Sequence, residues 1–97
     1  MYNEDDHDPQ NIMKSNLTQL KLGEVAVICG IMVNCDNTIR QRLLDLGFVK
    51  GAEVSVQNIS PLGDPVAYCV HETLIALRKE DALFVQIIKD KEHDDVE

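Results

Sequence analysis

The segment from residue 39 to residue 54 constrains the fold most, because a short helix, its end and a turn into a strand follow one another directly. Three apolar residues recur at the spacing of one helical face: Ile39, Leu43 and Leu46. This periodicity predicts a helix over about 38–46, with Asn37 or Thr38 as its N-cap. Gly47 follows where a helix commonly ends in a residue of positive φ. Gly51 marks a turn, after which apolar and polar residues alternate as in a half-buried strand.

Five runs of the sequence are typical of short strands. They are 24–31, 53–59, 66–71, 73–77 and 83–88. The connections between them are shorter than the dozen or more residues that a parallel crossover requires. The sequence therefore predicts a mainly β fold. We expect a small, strongly bent β-barrel of about five strands, with one short α-helix (about 38–46) between the first two.

The charge of the chain is concentrated at its ends. The 97 residues carry a net charge of −8, whereas residues 17–88 hold six basic and eight acidic side chains. We therefore expect one domain at 16–88 between acidic flexible tails at 1–15 and 89–97. Acidity argues against nucleic acid as a partner, since that affinity rests on neutralising phosphates. Direct membrane insertion is not expected, because no stretch has the roughly 20 apolar residues of a spanning helix. The start of the chain lacks a secretory signal pattern, so the sequence favours the cytoplasm.

The sequence shows no catalytic arrangement. It has neither a Gly-x-Ser-x-Gly elbow nor a phosphate-binding glycine loop, so we expect no enzyme and no cofactor. Metal binding is an alternative at Cys69 and His71, which alternate along a predicted strand and so share one face. A closed structural zinc site uses four ligands, and a buried cysteine beside a rim histidine explains the same pattern. Weak divalent-metal binding is the most that these two residues indicate.

The loop between the two prolines at 61 and 65 is the candidate binding surface. Binding residues often lie on loops held by a rigid scaffold, although the same turn residues also serve simply to join two strands. Five residues make up the predicted partner-binding surface: Arg42, Leu62, Gly63, Asp64 and Arg78. For the two arginines, a carboxylate or carbonyl partner within the fold is the alternative.

Four segments together resemble the FeoA family, the small cytoplasmic component of bacterial ferrous iron transport systems. They are LTQLKLGE (17–24), RLLDLGFVKG (42–51), PLGDPV (61–66) and ALRKEDA (76–82). The resemblance covers about residues 17–88 and implies an SH3-like barrel, also found as the C-terminal domain of iron-dependent repressors. One departure lies at the tip of the second hairpin, where the family commonly has glycine and this chain has Glu72-Thr73. We expect another turn geometry there.

The resemblance also implies a partner and a role. The partner is the cytosolic part of the FeoB membrane transporter, which carries a GTP-binding domain, and the role is that of an accessory or regulatory binding module. Two alternatives stay open from the residues. One is a metal-responsive (Fe²⁺ or Zn²⁺) sensor or carrier. The other is a self-associating structural module, a homo-oligomer formed through an exposed barrel edge.

Overall fold

The computed structural model of the chain describes residues 12–90. Within them the backbone forms six strands, two short α-helices and one 3₁₀ turn. In chain order these are β1 (Ile12–Asn16), the 3₁₀ turn (Leu17–Gln19), β2 (Val25–Ile31), α1 (Asn37–Leu46), β3 (Glu53–Ile59), β4 (Val66–Val70), β5 (Thr73–Leu77), α2 (Lys79–Ala82) and β6 (Val85–Asp90). Neither helix is long and apolar enough to cross a membrane in this part of the chain.

The six strands form one antiparallel sheet in the order β1-β6-β2-β3-β4-β5. The predicted mainly β fold is confirmed, with one strand more than expected. The additional strand is β1, and the end of β6 also reaches beyond the predicted domain limits of 16 and 88. β1 pairs only with β6, so backbone hydrogen bonds place it without the alternation of apolar residues that reveals a strand in a sequence. The remainder of the predicted tails, 1–11 and 91–97, lies outside the described residues.

Helix α1 begins one residue earlier than predicted. Its N-cap is Asp36, whose carboxylate accepts the Thr38 backbone N–H at 3.0 Å, so the prediction of Asn37 or Thr38 as the cap is wrong. Aspartate is as good a cap as asparagine, and the apolar period cannot distinguish adjacent polar residues. Gly47 ends the helix as predicted, with φ of 109°. Leu43 is fully buried, whereas Leu46 stays 38% exposed.

The core lies on one face of the sheet, where it is covered by α1 and the 3₁₀ turn. Tyr68 and Phe48 are its largest fully buried side chains. The Tyr68 hydroxyl donates to the Leu17 carbonyl oxygen at 3.3 Å and so ties β4 to the start of the domain. Burial, followed by the negative charge of Asp64, raises the pKa of Tyr68 to about 12.

A second link joins the start and the end of the domain at the surface. The Glu24 carboxylate accepts the Lys21 backbone N–H at 2.8 Å and the Lys89 ammonium at 3.1 Å. The pKa of Glu24 is lowered first by the hydrogen bond from Lys21, while partial burial opposes the shift and Lys89 adds to it. The ionised carboxylate is therefore the form that the fold favours.

The tip of the β4–β5 hairpin is a two-residue turn formed by His71 and Glu72. Both have positive φ, 52° and 62°, and Val70 pairs with Thr73 behind them. Two prediction errors meet here: His71 does not belong to β4, and the tip keeps a positive-φ geometry without glycine. Residues other than glycine adopt this region at a cost of about 1–2 kcal/mol each. The His71 ring packs on the end of α1, since a Cβ on Gly47 would lie 3.0 Å from its Cδ2 atom.

Candidate functional site

The proline loop is a closed turn that presents one apolar side chain to solvent. The Gly63 N–H donates to the Ser60 carbonyl oxygen at 2.8 Å, and the Ser60 N–H donates to the Pro65 carbonyl oxygen at 3.2 Å. Gly63 has φ of 89°, which glycine adopts without steric cost. Leu62, at the tip, is 94% exposed. The loop is thus internally bonded, and its leucine side chain contacts solvent and not the core.

Asp64 fixes the loop to the short helix that follows β5. Its Oδ1 atom accepts the Lys79 backbone N–H at 2.9 Å, at the first turn of α2. Pairing of Val66 with Leu77 brings the end of the loop beside the start of the helix. Asp64 therefore has a structural role, as a carboxylate that satisfies an otherwise unpaired helix N–H.

Arg42 joins α1 to the same short helix. Its Nη2 atom lies 2.6 Å from Oδ2 of Asp81, with the arginine side chain 54% exposed and the aspartate side chain 13% exposed. For Arg42, the guanidinium therefore pairs with a carboxylate within the fold, which was the alternative to binding a partner. Asp81 cannot be identified as that partner from the sequence, because the two residues are 39 positions apart and only the folded chain brings them together.

Arg78 lies between these two contacts and differs from Arg42. It is exposed, and within the described residues its side chain forms neither a hydrogen bond nor an ion pair. The backbone carbonyl of Arg78 accepts the Asp81 and Ala82 N–H groups, each at 3.0 Å. The backbone is therefore held while the guanidinium remains available. Leu62 and Arg78 are the two predicted residues whose side chains the fold does not use.

The five predicted partner-binding residues thus lie on three elements that meet at α2. We call this set the proline-loop surface: Arg42, Leu62, Gly63, Asp64 and Arg78. It combines an exposed leucine with an unpaired guanidinium on a support fixed by two carboxylate contacts. An exposed leucine and a guanidinium can contact an apolar side chain and an acidic group, respectively, of another protein.

Cys69 and His71 lack a third ligand in the described part of the chain. No group of three or more histidine, cysteine, aspartate or glutamate side chains there could hold a metal ion. The prediction placed both residues on one strand face, but His71 lies in the turn, where its ring packs on Gly47. Cys69 is a half-buried free thiol on β4. Both residues nevertheless line one surface cavity together with Glu53 and Glu72, so weak metal binding there stays a prediction.

Known proteins match most of the chain. The FeoA domain family matches residues 15–88. A Porphyromonas gingivalis protein, an Fe(2+) transport protein A/Fe(2+) transporter FeoB fusion, is 37% identical over 71 residues; these are 73% of this chain and 8% of that protein's length. The crystal structure of Stenotrophomonas maltophilia FeoA complexed with zinc is similar with a TM-score of 0.67 and 32% identity, over 78% of this chain and 96% of that one.

A likeness in fold alone extends to a repressor. A manganese-dependent transcriptional repressor in complex with manganese gives a TM-score of 0.71 at 10% identity, over 79% of this chain and 37% of that one. At this identity the comparison concerns backbone architecture only. It agrees with the expectation that the same small barrel occurs as one domain of metal-dependent repressors.

Proposed function

This chain belongs to the FeoA domain family, and on that premise we propose that it is a cytoplasmic accessory module of ferrous iron transport. It regulates a FeoB-type membrane transporter by binding the transporter's cytosolic GTP-binding part, and it does so as a binding module without catalysis of its own. The observation that carries the proposal is the Porphyromonas gingivalis relative, in which transport protein A and FeoB are a single polypeptide. Covalent fusion gives two modules an effective concentration in the millimolar range, which supports an association between modules of these two kinds.

The proline-loop surface supplies the contacts for this association. Leu62 projects from an internally bonded loop, so little of the loop's backbone freedom remains to be lost on binding. Arg78 offers a guanidinium that can bind a carboxylate of the partner with two parallel hydrogen bonds. Two contacts support them: Asp64 accepts the Lys79 backbone N–H, and Arg42 pairs with Asp81. These contacts hold Leu62 and Arg78 in a fixed relation. Arginine is enriched among the residues that dominate binding energy in protein interfaces, whereas leucine is under-represented, so we expect Arg78 to be the anchor and Leu62 to add apolar contact.

The test measures binding of the purified chain to the recombinant cytosolic part of its cognate FeoB-type transporter by isothermal titration calorimetry. We expect Leu62→Asp and Arg78→Glu each to weaken binding at least about tenfold, the scale of an interface anchor. Val33→Asp and Lys50→Glu are the matched controls. Val33 is 93% exposed in the loop before α1, and Lys50 is exposed in the turn after it. Both controls should bind like the wild type.

Two negative results separate the function from its surface. Absence of binding by the folded wild-type chain, with nucleotide-free, GDP-bound and GTP-bound transporter domains all tried, would refute the regulatory role. Normal binding by Leu62→Asp and Arg78→Glu variants that retain the wild-type circular dichroism spectrum would refute the proline-loop surface alone.

A metal-responsive role is the second candidate, because the Stenotrophomonas maltophilia relative was crystallised with zinc. Within residues 12–90 the chain offers no cluster of three ligands, so any site would use fewer protein ligands or residues beyond this range. Titration with Fe²⁺ or Zn²⁺ under reducing conditions distinguishes the candidates. Saturable binding tighter than about 100 μM, lost on Cys69→Ser and His71→Ala, would favour the sensor or carrier.

A further inference from the structure

Strand β5 forms an open edge of the sheet. It pairs with β4 along all five of its residues without a bulge, and no backbone hydrogen bond within the described chain reaches its other side. Proteins usually protect such edges with a charge, a proline or a bulge, since an unpaired edge accepts another strand. The sequence of β5, Thr-Leu-Ile-Ala-Leu, has none of these. The edge is therefore a ready template for a further strand.

The hairpin determines which residues of β5 direct their backbone N–H and C=O groups to the open edge. In an antiparallel ladder, alternate residues direct their N–H and C=O groups toward the neighbouring strand and the others direct them away. The two-residue turn is closed by the pair Val70 and Thr73, which bond to each other, so Leu74 and Ala76 direct their backbone groups to the open side. The Leu74 side chain is 64% exposed and Ala76 is also exposed.

The two ends of β5 carry opposite charges. Glu72 precedes the strand and Arg78 follows it, and both are exposed. Neither side chain forms a hydrogen bond or an ion pair with another described residue. A strand with an acid at its start and a base at its end is complementary to a second copy of itself in the antiparallel direction, because each acid then faces a base.

We propose that the chain self-associates through β5, in a two-fold antiparallel pairing of two copies centred on Ile75. This register gives three kinds of cross-strand pair between the copies: Thr73 with Leu77, Leu74 with Ala76, and Glu72 with Arg78. It joins the outward backbone groups of Leu74 to those of Ala76 in the second copy. A shift by one residue would misalign these groups, and a shift by two would remove Glu72 from Arg78. This pairing does not rest on the proposed role in iron transport.

The interface is small, and its affinity follows from its size. Five residues from each copy form the ladder, which places the contact among transient interfaces rather than permanent ones. By two-fold symmetry, Ile75 faces its own copy and each of the three other pairs occurs twice, so each dimer contains two Glu72–Arg78 contacts. We therefore expect a reversible monomer–dimer equilibrium that is detectable only in concentrated samples and weakens with added salt.

Sedimentation velocity of the full chain over a concentration series up to about 1 mM tests the proposal. A dimer whose dissociation constant exceeds this concentration would be too weak to count as a specific contact. Wild type should dimerise. Leu74→Lys should remain monomeric, because lysine on an edge blocks strand addition. Glu72→Arg and Arg78→Glu should each weaken the dimer about tenfold, as two attractive pairs become repulsive. The double variant Glu72→Arg/Arg78→Glu should restore dimerisation to within about threefold of wild type, because the reversed pairs are again complementary.

Lys50→Glu is the matched control. It makes the same charge change as Arg78→Glu at an exposed position in the turn between α1 and β3, outside β5 and its two ends, and should dimerise like wild type. A wild-type chain that stays monomeric throughout the series would overturn the proposal. So would a dimer that Leu74→Lys leaves intact, or one that the double variant fails to restore. Circular dichroism of each variant establishes that loss of the dimer is not loss of the fold.

Discussion

The Tyr68 hydroxyl should stabilise the protein at neutral pH and destabilise it in strong alkali. At neutral pH it donates a buried hydrogen bond to the Leu17 carbonyl oxygen. Tyr68→Phe removes this donor, while the Leu17 carbonyl oxygen keeps the Leu20 backbone N–H, at 3.1 Å, as its partner. We expect the variant to lose about 1 kcal/mol of unfolding free energy at pH 7, the usual net value of such a bond.

The sign of the difference reverses because the hydroxyl ionises less readily in the folded chain. Its pKa is raised from 10.0 to about 12. Below pH 10 both the folded and the unfolded chain hold the proton, so the stabilising effect is fully present. Between pH 10 and pH 12 the unfolded chain releases its proton while the folded chain keeps it, and stability falls by about 1.4 kcal/mol per pH unit. The wild type should therefore lose about 1.4 kcal/mol at pH 11 and about 2.7 kcal/mol above pH 12 from this residue alone.

Phenylalanine has no proton to release, so the two stability curves should cross near pH 11. The assay is urea unfolding followed by circular dichroism at intervals from pH 7 to pH 11.5. Ionisation of all other groups is common to both proteins and cancels in the difference. A difference between wild type and Tyr68→Phe that stays constant over this range would refute the assignment of the raised pKa to burial of Tyr68.

Three further substitutions test the cap, the carboxylate link and the ion pair. Gly47→Ala should lower the unfolding free energy by about 1–2 kcal/mol. The loss should exceed that of Gly23→Ala, because the imidazole at the hairpin tip lies 3.0 Å from the new Cβ whereas nothing lies within 4 Å at Gly23. The lowered pKa of Glu24 contributes stability that is present above its usual value of 4.5 and is lost as pH falls through the folded pKa. Glu24→Gln should therefore make the stability depend less on pH in the acid range. Acid unfolding followed by the fluorescence of a bound dye measures this. Asp81→Asn should cost less than about 1 kcal/mol at low salt and almost nothing in 1 M NaCl, since Arg42 is largely exposed; urea midpoints at the two salt concentrations measure this.

The sequence predicted the elements whose signal is local. The helix end at Gly47 and the turn at Gly51 need positive φ, and both glycines adopt it. The family resemblance, drawn from four short segments, is confirmed by the match over residues 15–88. β1 was missed because an edge strand that pairs with one neighbour needs no apolar alternation. The hairpin tip was misplaced because His71 and Glu72 adopt a conformation that their own preferences disfavour, and only the pairing of β4 with β5 imposes it.

The candidate site shows the same division between local and long-range information. The exposed leucine at position 62 follows directly from its place between two prolines in a tight loop. The roles of Asp64 and Arg42 do not, because each binds an atom of α2 that lies far along the chain. Sequence alone could therefore name the residues of the proline-loop surface but not separate those that support it from those that are free to bind.

Arg78 connects the two proposed interactions, because it belongs both to the proline-loop surface and to the β5 pairing. A guanidinium that faces Glu72 of a second copy is not available to a carboxylate of the transporter, so the two associations compete. By linkage, each must weaken the other by the same factor. We expect the transporter's cytosolic domain to convert the dimer of a concentrated sample into a one-to-one complex in sedimentation velocity. A complex that retains two copies of the chain would show that Arg78 serves only one of the two surfaces. Self-association would then leave transporter binding unchanged, and the acid–base pattern around β5 would concern the dimer alone.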